Sequence, residues 1–189
     1  MFNIKVDHEI ELHLLQLNHA EELFWLVQKN RSYLREWLPW VDEVISPIHF
    51  QHIIPIWLRR YANNEGLNAG IRYNGILIGS ISINNIDWSN RCSTIGYYLD
   101  QHANGKGIMT RSVNALINYM YLHLKLNRIE IRCGDRNYKS QAIPERLGFE
   151  KEGTMRQGEY LYGRYHDLIV YSLLFEDWDP RLKGKNNFN

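Results

Sequence analysis

At 189 residues the chain is long enough for one domain with a real core and short for two. Its 44% hydrophobic and 23% charged composition is that of a soluble globular protein, and a net charge of +1 implies no general attraction to nucleic acid or to an anionic membrane. Cys92 and Cys133 are the only cysteines and no Cys/His cluster has metal-ligand spacing. The first residues, MFNIKVDHEIELHLL, hold no uninterrupted apolar stretch of signal-peptide type, and no apolar run has the ~18 residues a membrane span needs, so the expectation is a cytoplasmic protein with reduced thiols and no metal.

Residues 9–15, EIELHLL, alternate in polarity and predict a first strand. Asn18 is expected to cap a helix whose apolar stripe is Leu23, Phe24, Leu26 and Val27. The segment 30–40, NRSYLREWLPW, is aromatic. A second helix is expected from Ser46-Pro47 to about residue 63, carrying Ile53, Ile54, Ile56, Trp57 and Tyr61, with Pro55 making its early part irregular. Two apolar runs then meet at Asn74-Gly75, the strongest hairpin signal in the chain.

A strand over 91–99 leads into HANGKGIMTRSV, residues 102–113, and a helix over about 106–124 bearing Ile108, Val113, Leu116, Ile117 and Tyr121. RIEIRC, residues 128–133, reads as a short strand. Asn137 caps a helix that ends at Leu147-Gly148, with Gly148 as the C′ residue. Strands are expected near 149–157 and 165–175, before a polar tail. The order β-α-α-β-β-β-α-β-α-β-β predicts an α/β or α+β single domain with a mixed sheet over residues 1–180, with the tail at 181–189.

The glycine loop poses the functional question. Asn104, Gly105, Lys106, Gly107, Ile108, Met109 and Thr110 run from a strand into a helix N-terminus, where backbone N–H groups and the helix dipole can hold an anion. A Walker loop fits weakly because the lysine sits between the glycines and no Gly-Lys-Ser/Thr follows, and the Rossmann fingerprint fails at Thr110 where a third glycine is needed. Two readings remain: a turn without a ligand, and a pyrophosphate held by successive N–H groups from Asn104 to Thr110.

The string IGYYL, five residues, then GKGIMT, followed by Asn137-Tyr138-Lys139-Ser140 and Leu147-Gly148-Phe149, resembles the GNAT N-acetyltransferase superfamily in its RimJ/RimL branch. YLREWLPW and GEYLYGRYHDLIVYSLL extend the resemblance over nearly the whole chain. It implies the GNAT fold, a splayed central sheet flanked by helices, and acetyl-CoA as donor with its pyrophosphate on the loop. Its pantetheine arm would lie between the strand ahead of the loop and 128–133, paired with backbone groups of Tyr97, Tyr98 and Leu99 and flanked by Asn137. The implied acceptor is a protein N-terminus, with small amines or a non-catalytic acyl-CoA module as alternatives. The implied assembly is a homodimer acting without nucleic acid or membrane, its apolar last strand, DLIVYSLLF, needing cover.

Acetyl transfer needs a neutral amine, and an α-amine with pKa near 8 is partly neutral already, so a modest base suffices. By resemblance that base is Glu159, and Ser140 stabilises or protonates the departing thiolate. His166, beside Asp167, is the rival base because histidine titrates near neutrality. Three positions depart from the family pattern: His102 replaces the Gln or Arg that opens the loop signature, Thr94 stands where many members carry an acid, and Pro144 occupies the site of their tyrosine acid. Trp37, Trp40 and Trp57 are expected to flank the acceptor groove.

Overall fold

The structure is a computed structural model that describes residues 2–179, so the tail at 181–189 lies outside the described residues. Eight strands form one mixed sheet in the order β1-β2-β3-β4-β5-β6-β8-β7. β1 (Asn3–Lys5) and β2 (Ile10–Leu14) form an edge hairpin. β3 (Leu67–Tyr73) and β4 (Ile76–Asp87) turn at Asn74-Gly75, whose φ values of +49° and +81° fit the primed turn that the dipeptide predicts. β5 (Cys92–Leu99), β6 (Arg128–Gly134), β7 (Glu150–Leu161) and β8 (Arg164–Leu174) complete the sheet.

Helices cover both faces. α4 (Ile108–Leu122) and α5 (Tyr138–Arg146) lie on one, with the short α6 (Phe175–Trp178) beside them; α1 (Ala20–Lys29), α2 (Arg31–Leu34) and α3 (Ile48–Ala62) lie on the other. α4 is held by an apolar stripe that includes Val113, Leu116, Ile117 and Met120, all buried against Ile81, Ile95 and Ile129 of the sheet. Each such side chain contributes about 1.5–3 kcal/mol relative to exposure. Among the described residues no helix is long and apolar enough to cross a membrane.

Several expectations are corrected. Asn18 does not cap α1. The chain enters through a 3₁₀ turn, Leu17–His19, in which His19 Nδ1 accepts the Gln16 N–H at 3.0 Å, so Gln16 and His19 do the capping. α3 is continuous through Pro55, because the carbonyl this proline leaves unpaired, that of the exposed Gln51, can be met by solvent. Ile56 is exposed rather than in the core. The first of the final strands runs on to Leu161 rather than ending at 157, the second matches 165–175 to within one residue, and the two turn at Tyr162-Gly163, with φ values of +47° and +79°. β8 is covered by strands of its own chain, β6 on one side and β7 on the other, so the exposed edge belongs to β7.

The feature that positions everything else is the junction of β5 and β6. They are the parallel neighbours of the sheet, and they pair only at Cys92–Arg128, Ser93–Ile129 and Thr94–Glu130. Beyond that point β5 stays with β4 as far as Leu99, while β6 stays with β8 as far as Gly134. The strands therefore diverge, each presenting an unpaired backbone edge to the gap.

Candidate active site

The gap opens into a cavity of about 340 Å³. One wall is β5 from Ile95 to Leu99, the other β6 from Ile131 to Gly134, with α5 contributing Lys139, Ser140 and Ile143. Glu159 and Leu168 reach in from β7 and β8, and Tyr33, Leu34, Trp37 and Leu38 close the remaining side. Of the residues singled out in the sequence, Tyr97, Tyr98, Leu99, Asn104, Met109, Asn137, Ser140 and Glu159 thus share one cavity.

The glycine loop sits at one end of it. Gly105 and Gly107 have φ values of +79° and +70°, a left-handed backbone that disfavours a side chain. A Cβ at either would meet no protein atom within 4 Å, so what requires glycine here is the backbone angle and not crowding. Arg111 is the first amide to bond into α4, onto the Gly107 carbonyl at 3.0 Å. The N–H groups of Gly107, Ile108, Met109 and Thr110 are therefore the ones a helix start leaves without intrahelical partners. Asn104 corrects the expected run, since its N–H donates to the Gln101 carbonyl at 3.3 Å. The Ile108 side chain is in the core and Lys106 lies over the Tyr73 ring at 5.9 Å, so both can serve an anion at the loop through their backbones.

The loop is fastened by residues the sequence reading did not single out. Asp100 accepts the His102 N–H at 2.9 Å and pairs with Lys29 at 3.0 Å, while Asn30 Oδ1 accepts the Gln101 N–H. Burial alone would raise the Asp100 carboxyl, but these partners outweigh it and hold it below its ordinary value. Tyr33 ties the two ends of the mouth together. Its hydroxyl accepts from Asn104 Nδ2 at 3.1 Å, and its ring lies 5.3 Å from Lys139 Nζ.

Asn137 caps α5, accepting the Ser140 N–H at 3.2 Å. Gln141 Nε2 donates to the carbonyls of Gly134 and Asp135, both at 2.9 Å, and so locks α5 onto the end of β6. Ser140 Oγ is then 3.2 Å from Cys133 Sγ and 3.3 Å from the Tyr97 hydroxyl, onto which it donates. Burial raises the Cys133 thiol above its ordinary value, with its contacts to Ser140 and Tyr97 pulling partly the other way.

Glu159 enters through strand register. It stands directly opposite His166 in the β7–β8 ladder, so the two rival bases are cross-strand neighbours on one face. Glu159 lines the cavity and His166 does not. Burial raises the Glu159 carboxyl above its ordinary value, with His166 pulling partly the other way. Asp167 faces elsewhere, accepting the Gln157 N–H at 2.7 Å. Trp37 packs so closely on the end of β6 that a Cβ at Gly134 would sit 2.9 Å from its ring. Trp40 is 5.7 Å from the Tyr98 ring, and Trp57 packs on Phe50 in the second core, outside the cavity. Among the described residues no three His, Cys, Asp or Glu side chains are grouped to hold a metal.

The acetyltransferase (GNAT) domain family matches residues 9–150. YdaF of Bacillus subtilis, named as a ribosomal N-acetyltransferase, is 42% identical over 95% of this chain and 98% of its own. A solved structure of the ribosomal-protein α-N-acetyltransferase RimL, with coenzyme A joined to a cysteine as a disulfide, is 31% identical. It covers 94% of this chain and 100% of that one, with a TM-score of 0.90. The microcin self-immunity acetyltransferase MccE, solved with acetyl-CoA and AMP, is 33% identical over 91% of this chain and 96% of that one, with a TM-score of 0.87.

Proposed function

Because this chain belongs to the GNAT acetyltransferase family and is an acetyl-CoA-dependent N-acetyltransferase, we propose that it acetylates the N-terminal α-amine of a protein, a ribosomal one in the first instance. The observation that carries this reading is the placement of Glu159 and Ser140 in one cavity, beside the open edges of β5 and β6. The pantetheine arm lies along those edges, pairing with backbone groups of Tyr97, Tyr98 and Leu99. The pyrophosphate rests on the free amides that begin α4, with Gly105 and Gly107 setting the backbone, and Asn104 and Asn137 flank the arm. Cys133 lines the same slot as Ser140, in keeping with the cysteine-linked coenzyme in RimL.

The amine attacks the thioester carbonyl carbon directly. Glu159 takes its proton, and the tetrahedral intermediate collapses with the carbon–sulfur bond breaking. As the sulfur leaves, Ser140 turns its one hydroxyl hydrogen from the Tyr97 oxygen to the thiolate. The raised carboxyl suits the task, since a base is most effective when its pKa approaches the working pH.

A second reading, transfer to a small-molecule amine, is favoured by the AMP bound to MccE. Acetyl-CoA turnover against N-terminal Ser and Ala peptides, polyamines, aminoglycosides and an aminoacyl nucleotide separates the two. Peptides should give the largest kcat/KM, and turnover confined to small amines would refute the protein-acceptor reading. Transfer is expected to proceed unchanged in EDTA. Loss of activity on chelation, restored by added metal, would overturn the mechanism.

We also propose a cytoplasmic homodimer. β7 is a twelve-residue edge strand, largely exposed, and long open edges invite a partner. Light scattering should give twice the chain mass at micromolar concentration, and a monomer there would count against it.

A further inference from the structure

Pro144 lies within α5 and has no N–H, so the carbonyl of Ser140, four residues earlier, has no helical donor. A backbone carbonyl left open beside a buried proline is destabilising unless another donor meets it. That donor comes from across the gap. The Tyr97 hydroxyl donates to the Ser140 carbonyl at 3.1 Å and accepts from Ser140 Oγ at 3.3 Å. One phenol on β5 therefore holds both the backbone and the side chain of one residue on α5. Burial pushes that phenol upward, which keeps it a neutral donor at any physiological pH.

We propose that Tyr97 is a positioning residue for acetyl transfer: docked on the carbonyl that Pro144 leaves open, its hydroxyl fixes Ser140 so that the serine faces the sulfur of the coenzyme. The proposal rests on the role given to Ser140 above. No bond forms or breaks at Tyr97. Its effect is to hold a hydroxyl whose other protein neighbour is the Cys133 thiol at 3.2 Å. Without Tyr97, Ser140 is left with that weak partner and a carbonyl lacking its donor. The departure from the family pattern at Pro144 and the phenol at position 97 then form one device: the proline removes a helical bond, and the tyrosine uses the vacancy to reach the serine.

The test is steady-state kinetics on the wild type, Tyr97→Phe, Ser140→Ala, Pro144→Ala and the doubles of Tyr97→Phe with each of the other two. Tyr97→Phe should lower kcat about tenfold while leaving KM for acetyl-CoA within about twofold, because only the step at sulfur is affected. In the Ser140→Ala background the same change should be nearly silent, since there is no hydroxyl left to hold. In the Pro144→Ala background, where an alanine N–H can meet the Ser140 carbonyl, it should cost about threefold or less. If Tyr97→Phe folds poorly, that background supplies folded protein for the comparison. An unchanged kcat, a loss confined to KM, or an equal loss with and without Ser140 would overturn the proposal. Should Ser140→Ala itself be fully active, the Ser140 assignment falls too; should it be slow while Tyr97→Phe is normal, only the positioning role is lost.

Discussion

Replacing Glu159 with glutamine is expected to lower acetyl transfer by roughly 10²–10⁴ while acetyl-CoA binding stays nearly intact, because the substitution removes a proton acceptor and leaves the donor slot untouched. The pH dependence fixes the sign. A base works in its deprotonated form, and burial raises this carboxyl, so the acid limb of the wild-type profile should fall at a higher pH than an ordinary glutamate would give. In Glu159→Gln that limb disappears. What remains is the amine's own ionisation, near pKa 8, so the variant should gain on the wild type as pH rises. Ser140→Ala should be slow without that rescue. His166 faces Glu159 across the β7–β8 ladder, so it offers a sharp control. A silent Glu159→Gln with a severe His166→Ala, in profiles taken with one N-terminal peptide, would exchange the two roles.

Gly107→Val is expected to weaken acetyl-CoA binding at least tenfold, or ~1.4 kcal/mol. Gly107 is the N-cap of α4 at φ +70°, and a β-branched residue is strongly disfavoured there. The space around it is empty of protein atoms, so the loop would distort through its backbone rather than through a clash. The amides of Ile108, Met109 and Thr110 would then no longer converge. Gly107→Asn separates angle from bulk, because asparagine tolerates the left-handed region and should lose distinctly less than valine. Calorimetry on folded protein decides it. Unchanged affinity in the valine variant would remove the pyrophosphate from this loop.

Much of the fold is legible wherever the signal is local. Asn74-Gly75 names its own turn, and Asn137 and Gly148 bracket α5 because capping chemistry acts over three or four residues. Local signals also mislead. Asn18 looks like a cap, yet His19 reaches back to Gln16 first. The turn at Tyr162-Gly163 is hidden because tyrosine is an unusual choice at φ +47°. β1 has only three residues, too few to show a period. The donor side of the site is readable because glycines and a helix start are adjacent in sequence. Its fastening is not: Lys29, Asn30 and Tyr33 reach residues about seventy positions away, and no spacing rule connects them. The three tryptophans show the same limit. All are aromatic and close in sequence, but only Trp37 lines the cavity, and register and packing make that choice.

The three rungs that join β5 to β6 have a mechanical consequence. Among the described residues they are the only sheet pairing between two blocks, β1 to β5 and β6 to β8, each well connected within itself. The sheet is therefore a clamp hinged at its base, with jaws formed by two strand edges whose polar groups are met by neither partner. A chain-like molecule laid between the jaws supplies rungs the protein lacks and ties the blocks into one cooperative unit. The donor's reactive end would then lie between residues carried by different jaws, Tyr97 on one and Ser140 and Glu159 on the other. In this arrangement the coenzyme would be laid against groups that the Tyr97–Ser140 contact already joins across the gap.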